Sequence, residues 1–160
     1  MKAENKTLKV PMEKLIQVVQ LQLSEKGCAS LAVTGNSMWP MLRHMKDQVL
    51  LAPAKTFKKG DIILYQRRNG QYILHRILKK KKEYMICAGD NQCEKERVEN
   101  SWVLAVVTDF YRKGKRYSVT GTGYRLYKWV WIMLFPVRKI VFGVARRLVL
   151  LKNKILGGKE

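Results

Sequence analysis

Three short segments carry residue types that could do chemistry: Gly35-Asn36-Ser37-Met38-Trp39-Pro40, Leu74-His75-Arg76-Ile77 and Gly89-Asp90-Asn91. A serine hydroxyl becomes a useful nucleophile only when a base takes its proton. Imidazole, with an ordinary pKa near ~6.5, does this at neutral pH. Ser37 is therefore a candidate nucleophile and His75 a candidate general base. The base needs a partner on its far nitrogen to fix the tautomer and stabilise the imidazolium. Asp90 is the natural third member, with Glu94 and Glu96 as alternatives. Each residue also has a plainer reading. Ser37 could be a polar loop residue before a proline turn, and Asp90 could shape the turn at Gly89-Asp90-Asn91. His75 shares a strand face with Ile73 and Ile77, so a half-buried, hydrogen-bonded histidine is the default from periodicity alone.

The elements that must position these residues can be read from hydrophobic spacing. Met12, Leu15, Ile16, Val19 and Leu23 recur at helical intervals, with Pro11 placed to start a helix and Gly27 to stop it. Between about residues 30 and 120 the texture becomes short β-type runs. These are Leu31 to Thr34, Gln48 to Leu51, Ile62 to Gln66, Gln71 to Leu78, Glu83 to Ala88, Trp102 to Thr108 and Arg116 to Val119. Asn69-Gly70 joins two of them and predicts a tight hairpin with positive φ at both central residues. The expected fold class is mainly β, an antiparallel domain with an N-terminal amphipathic helix and a long, basic, amphipathic C-terminal helix. The expected divisions are 1–28 for the helical segment, 29–121 for the β domain and 122–160 for the basic helix.

Taken together and in order, the segments resemble a known family. Ser37-Met38-Trp39-Pro40 with Leu42, preceded by Gly35, is similar to the serine box of signal peptidase I and of the related SOS-repressor autoproteases. Gly60-Asp61-Ile62-Ile63 resembles the family's Gly-Asp-Ile-Val strand, and Leu74-His75-Arg76-Ile77 its base strand. Gly89-Asp90-Asn91 and Val103-Leu104-Ala105-Val106-Val107 complete a pattern over roughly residues 30 to 108. Most bacterial signal peptidases place a lysine at the base position. His75 instead resembles the endoplasmic-reticulum, archaeal and sporulation-type branch.

The resemblance implies a serine endopeptidase acting on a peptide or leader. Ser37 would attack a peptide carbonyl, and His75 would activate the water that hydrolyses the acyl-enzyme. The substrate would lie extended against a strand edge, with small side chains near the cut. Two departures stand out. Gly35 occupies a position where several members carry a serine for the oxyanion, leaving backbone N–H groups such as that of Ser37 for the task. Gln92-Cys93-Glu94-Lys95-Glu96 replaces the usual asparagine- and aspartate-rich run. A signal-peptidase-like binding module without catalysis, and a basic membrane- or nucleic-acid-associated scaffold, are the other classes the sequence permits.

Charge bears on partners. Among 160 residues, 32 Lys and Arg against 12 Asp and Glu give a formal net charge of +20, which calls for an anionic partner. From Tyr124 to about Lys154 the period is helical. Arg125, Lys128, Lys139, Arg146, Arg147 and Lys154 fall roughly on one face, and an apolar face runs from Trp129 to Phe135 before a break at Pro136. That pattern fits an anionic membrane surface better than a bilayer span, which takes about 20 apolar residues. Packing on the β domain or on a second copy is the alternative. Lys79 to Lys82 could touch nucleic acid, but no base-reading module accompanies them. The polar start Met1 to Lys6 lacks the apolar core of a secretory signal. Cys28, Cys87 and Cys93 show no zinc or redox spacing. The expected location is the cytoplasm, peripherally on a membrane, with no metal or cofactor.

Overall fold

The computed structural model describes residues 11–138 together with 140, 142, 143 and 147. Helix α1 spans Met12–Lys26 and ends where Gly27 adopts a left-handed conformation (φ 69°), returning its N–H to the Leu23 carbonyl. Its inner stripe, Ile16, Val19 and Leu23, is buried. Burial of this kind contributes about 1.5–3 kcal/mol per side chain.

The strands are β1 (Ala29–Ala32), β2 (Gln48–Pro53), β3 (Ile62–Gln66), β4 (Tyr72–Lys80), β5 (Tyr84–Ala88), β6 (Glu96–Glu99), β7 (Val103–Arg112) and β8 (Lys115–Ser118). They form one antiparallel sheet in the order β1-β2-β7-β3-β4-β5-β6, with β8 also paired to β7. The mainly β expectation holds. Strand β6, Glu-Arg-Val-Glu, is an element that hydrophobic alternation does not reveal.

The two sheet faces divide the core. One carries Ile62, Leu64, Leu31, Val49 and Leu51, covered by α1 and by Met38, Met41 and Leu42. The other carries Ile63, Tyr65, Ile77, Met85, Cys87 and Val98.

The turn between β3 and β4 corrects the Asn69-Gly70 expectation. Arg67 donates to the Gln71 carbonyl and Gly70 to the Arg67 carbonyl, at 2.8 and 2.9 Å, so the loop is longer than two residues. Only Gly70 takes positive φ (84°), while the two-residue turn with both central φ positive lies at Lys113-Gly114, between β7 and β8. There Arg112 pairs directly with Lys115, which leaves a two-residue loop, the length that favours a turn with both central φ positive.

Helix α2 spans Thr122–Met133 and is followed by a 3-10 turn, Phe135–Val137, where Pro136 prevents continuation. Tyr124 and Phe135 face the domain and are buried. The basic face expected of this region extends through Lys139, Arg146 and Lys154, which lie outside the described residues.

Candidate active site

The serine loop runs from β1 to β2. Its turns are closed by Trp39 N–H to the Asn36 carbonyl (3.2 Å) and Leu42 N–H to the Met38 carbonyl (2.9 Å). Buried Met38, Met41 and Leu42 anchor it to the core. The Gly35 N–H donates to His44 Nδ1 at 2.8 Å, and Arg43 grips buried Asp47 at 2.6 Å. Ser37 is half-buried at the tip, and among the described residues neither its N–H nor its hydroxyl has a hydrogen-bond partner. The loop is fastened to the turn after β5, where Asn91 N–H donates 2.7 Å to the Ser37 carbonyl. Gly89 permits this approach: a Cβ there would sit 2.5 Å from the same oxygen.

His75 lies on β4, 3% exposed. Pairing of β4 with β5 starts at Arg76↔Ala88, so continuing the register sets His75 across from Gly89, against which Ser37 rests. The serine loop thus reaches β4 at the point where β5 stops covering it. Tyr65, diagonal to His75 across the β3–β4 ladder, brings its hydroxyl 3.1 Å from Nδ1. That hydroxyl also lies 2.7 Å from Glu96 Oε2, and Arg67 holds both Glu96 oxygens at 2.6 Å.

The roles along this chain follow from hydrogen count. A carboxylate only accepts, so Tyr65 spends its one proton on Glu96, and its oxygen must then accept from His75 Nδ1–H. The proton on Nδ1 leaves Nε2 with the lone pair, the tautomer a general base needs. Burial pulls the Glu96 carboxyl upward, but hydrogen bonds from Arg67 and Tyr65 win and hold it below the ordinary carboxylate range. Burial, reinforced by Glu96, pushes the Tyr65 phenol up. Burial lowers His75 to about 4, partly opposed by Glu96, so the ring is neutral at pH 7. His75 Nδ1 and Glu96 Oε2 are 3.9 Å apart, beyond hydrogen-bond reach, so the Tyr65 hydroxyl bridges them.

Asp90 stands elsewhere, which corrects its expected role beside His75. It faces Arg76 on the opposite sheet face, with Nε to Oδ1 2.8 Å and Nη2 to Oδ2 2.7 Å, and the two side chains are 0% and 1% exposed. Arg76 also donates to the Gly60 carbonyl and to the Tyr124 hydroxyl. Burial would lower the Arg76 guanidinium, but Asp90 holds it above its ordinary value. From α2, Tyr127 donates to Asp90 Oδ2 and Trp131 Nε1 to the Asp90 carbonyl. Arg138 donates to the Gly89 carbonyl. This buried pair ties β4, the β2–β3 loop and α2 to the turn that supports Ser37. Glu94 forms no contact in the His75 chain, whereas Glu96, named at first as an alternative, does. Spacing did not single out Tyr65 and Arg67. The available signal was the alternation Ile63, Tyr65, Arg67, which continues the His75 face toward the β3–β4 turn.

Beside Ser37 opens a cleft of about 460 Å³, bordered by Val33, Thr34, Met38, Tyr72, Ile73, Leu74 and Asn91. Tyr72 to His75 pair with β3 on one side only, because the β5 ladder begins at Arg76. Among the described residues, strand β1 pairs with β2 alone. Tyr72 to Leu74 therefore present a backbone edge without a second strand to the cleft, an arrangement that accepts an extended peptide as an added strand. Among the described residues no three His, Cys, Asp or Glu side chains converge as metal ligands do.

The His75 shift makes a prediction about stability. The folded-state pKa, about 4, lies below the unfolded 6.5, so the unfolded chain takes the proton first as pH falls. The associated stability is complete above 6.5 and is lost toward 4, by about 2–3 kcal/mol at roughly pH 4.5. Asp47 and Glu96 are held below their ordinary 3.8 and 4.5 and contribute their own losses at lower pH. Urea unfolding at pH 7 and near pH 5 should show the decline, and His75→Ala should flatten it in that window.

A family model described as Peptidase S24-like matches residues 3–108. No curated protein sequence matches this chain.

Proposed function

The chain belongs to the Peptidase S24-like family, which is of serine peptidase type, and from that premise we propose that it cleaves an extended peptide through a Ser37 acyl-enzyme with His75 as general base. The observation that carries this reading is the chain Arg67–Glu96–Tyr65–His75, which presents Nε2 as an acceptor at the strand position where Gly89 admits the Ser37 loop. In the first step Nε2 takes the Ser37 proton as Oγ bonds to the substrate carbonyl carbon, and the carbonyl π electrons move to oxygen. The Ser37 N–H would donate to that oxyanion. The tetrahedral intermediate collapses with loss of the amine, which takes the proton back from His75. Water, deprotonated at the same Nε2, then frees the acid and returns Ser37.

A buried imidazole with a lowered pKa is fully available at neutral pH but has little driving force to accept a proton. The ionised Glu96, acting through Tyr65, stabilises the imidazolium as it forms and offsets that deficit. A histidine base aligns the chain with the endoplasmic-reticulum, archaeal and sporulation-type branch of the wider signal peptidase and SOS-repressor clan, and a leader peptide is the substrate class that branch implies.

Rapid acid quench after mixing with a reactive peptide ester tests the proposal. One acyl group should be found on the peptide containing Ser37. An acyl group on another residue, or none, points instead to a fold that binds peptides without cutting them.

A further inference from the structure

Nothing among the described residues covers the outward face of α2. Leu126, Trp129 and Met133 are 64%, 62% and 60% exposed, with Val130 and Val137 beside them and Ile140 at 69% further along. Positions 126, 129, 133, 137 and 140 are spaced by three and four, which sets them along one side of a helical path. Single exposed hydrophobic residues are ordinary, but a contiguous row is not. The usual burial is inverted here for a visible reason. The buried Arg76–Asp90 pair needs polar partners, and Tyr124, Tyr127 and Trp131 supply them from the inner face.

Cations stand beside the stripe. Arg125 is exposed, and Lys128 lays its stem over Gly60, with one anion, Asp61, and the cations Arg76, Lys58 and Arg125 within electrostatic reach. No helix among the described residues is long and apolar enough to cross a membrane.

We propose that α2 docks on an anionic phospholipid surface, lying in the interface with Leu126, Trp129, Val130 and Met133 toward the acyl chains and Arg125, Lys128 and Lys58 toward headgroup phosphates. The charge decides between this occupant and a second copy of the chain. Pairing two copies through the stripe would oppose like cation clusters on chains of formal charge +20, whereas anionic lipid complements both the stripe and the cations. Tryptophan at the edge of such a stripe suits the headgroup zone. The docking does not depend on catalysis. One consequence rests on the peptidase reading: Trp131 holds the Asp90 carbonyl and Asn91 holds that of Ser37, so a single turn links the inner side of the docked helix to the serine loop. Substrates anchored in the same bilayer would then reach the cleft most readily.

Flotation of the full chain with vesicles tests this, using phosphatidylglycerol mixed with phosphatidylcholine against phosphatidylcholine alone. Anionic vesicles should carry the protein, with a blue shift of tryptophan emission, and raised salt should release it. The pair Trp129→Glu and Met133→Glu should lower binding at least about tenfold. Trp129→Ala, a milder change on the exposed face, should lower it less while leaving the melting temperature unchanged. Ser37→Ala should bind like the unchanged chain, which separates a failure of docking from a failure of the peptidase reading. Absence of binding to anionic vesicles, or binding indifferent to both Trp129 variants, overturns the proposal. So does a dimer dispersed by Met133→Glu in a chain that ignores vesicles.

Discussion

Ser37→Ala and His75→Ala are each expected to lower peptide hydrolysis at least about 1,000-fold, with the double variant little worse than either alone. The non-additivity is the informative part. Oγ without a base is a weak nucleophile, and Nε2 without Oγ has only water to activate, so removing the second member of a disabled pair costs little more. Neither substitution leaves a buried charge, since Ser37 is half-exposed and His75 is neutral at pH 7. Folding at neutral pH should survive Ser37→Ala without loss, and the cavity left by His75→Ala should cost stability without abolishing the fold. Tyr65→Phe keeps the ring and removes the hydroxyl that joins His75 to Glu96. Its effect should fall on kcat more than on KM, because the imidazolium it stabilises forms only as the reaction proceeds. Steady-state kinetics on one peptide substrate across the four variants checks all of this.

Arg76→Ala should destabilise the protein by about 3–5 kcal/mol, a large share of the roughly 5–15 kcal/mol that holds a domain together. The reason is the Asp90 carboxylate, 1% exposed, which would lose both guanidinium hydrogen bonds and keep only the longer one from Tyr127. A buried charge without its partner costs far more than the intact pair contributes. Replacing Arg76 and Asp90 together by leucines should therefore be milder than Arg76→Ala alone. Urea denaturation at pH 7 of the single and double variants separates these outcomes. The single variant should also lose activity, because the Gly89–Asn91 turn that holds the Ser37 carbonyl depends on this pair.

How much of this was legible in the sequence differs by residue. The strands around Ile62 and His75 announced themselves because short runs of β-branched and apolar residues lie between turns, and the serine loop because its motif sits between two such runs. Strand β6 did not. Glu-Arg-Val-Glu carries one apolar residue, and its strand character comes from pairing with Tyr84 to Cys87 rather than from its own pattern. Glu96 therefore stood only as an alternative to Asp90 until the ladder set it across from Cys87, on the His75 face. Asp90 invites the opposite error, since it lies in a family-like segment and the physical cue against it was in plain sight. Arg76 falls on the strand face of Leu74, between apolar neighbours, and an arginine buried there must find a carboxylate. The inversion of α2 was not legible at all. Apolar and aromatic residues occupy both sides of the helix, and only the location of the buried ion pair decides that the tyrosines turn inward.

The central claim is most directly tested by the rate at which an acyl donor modifies Ser37 as pH is varied. With His75 as the base, the rate should hold from neutral pH down to the region of about 4, where the ring gains its proton, and His75→Ala should reduce it at every pH. A rate that does not change in His75→Ala, or a Ser37 that is never acylated, would contradict the account.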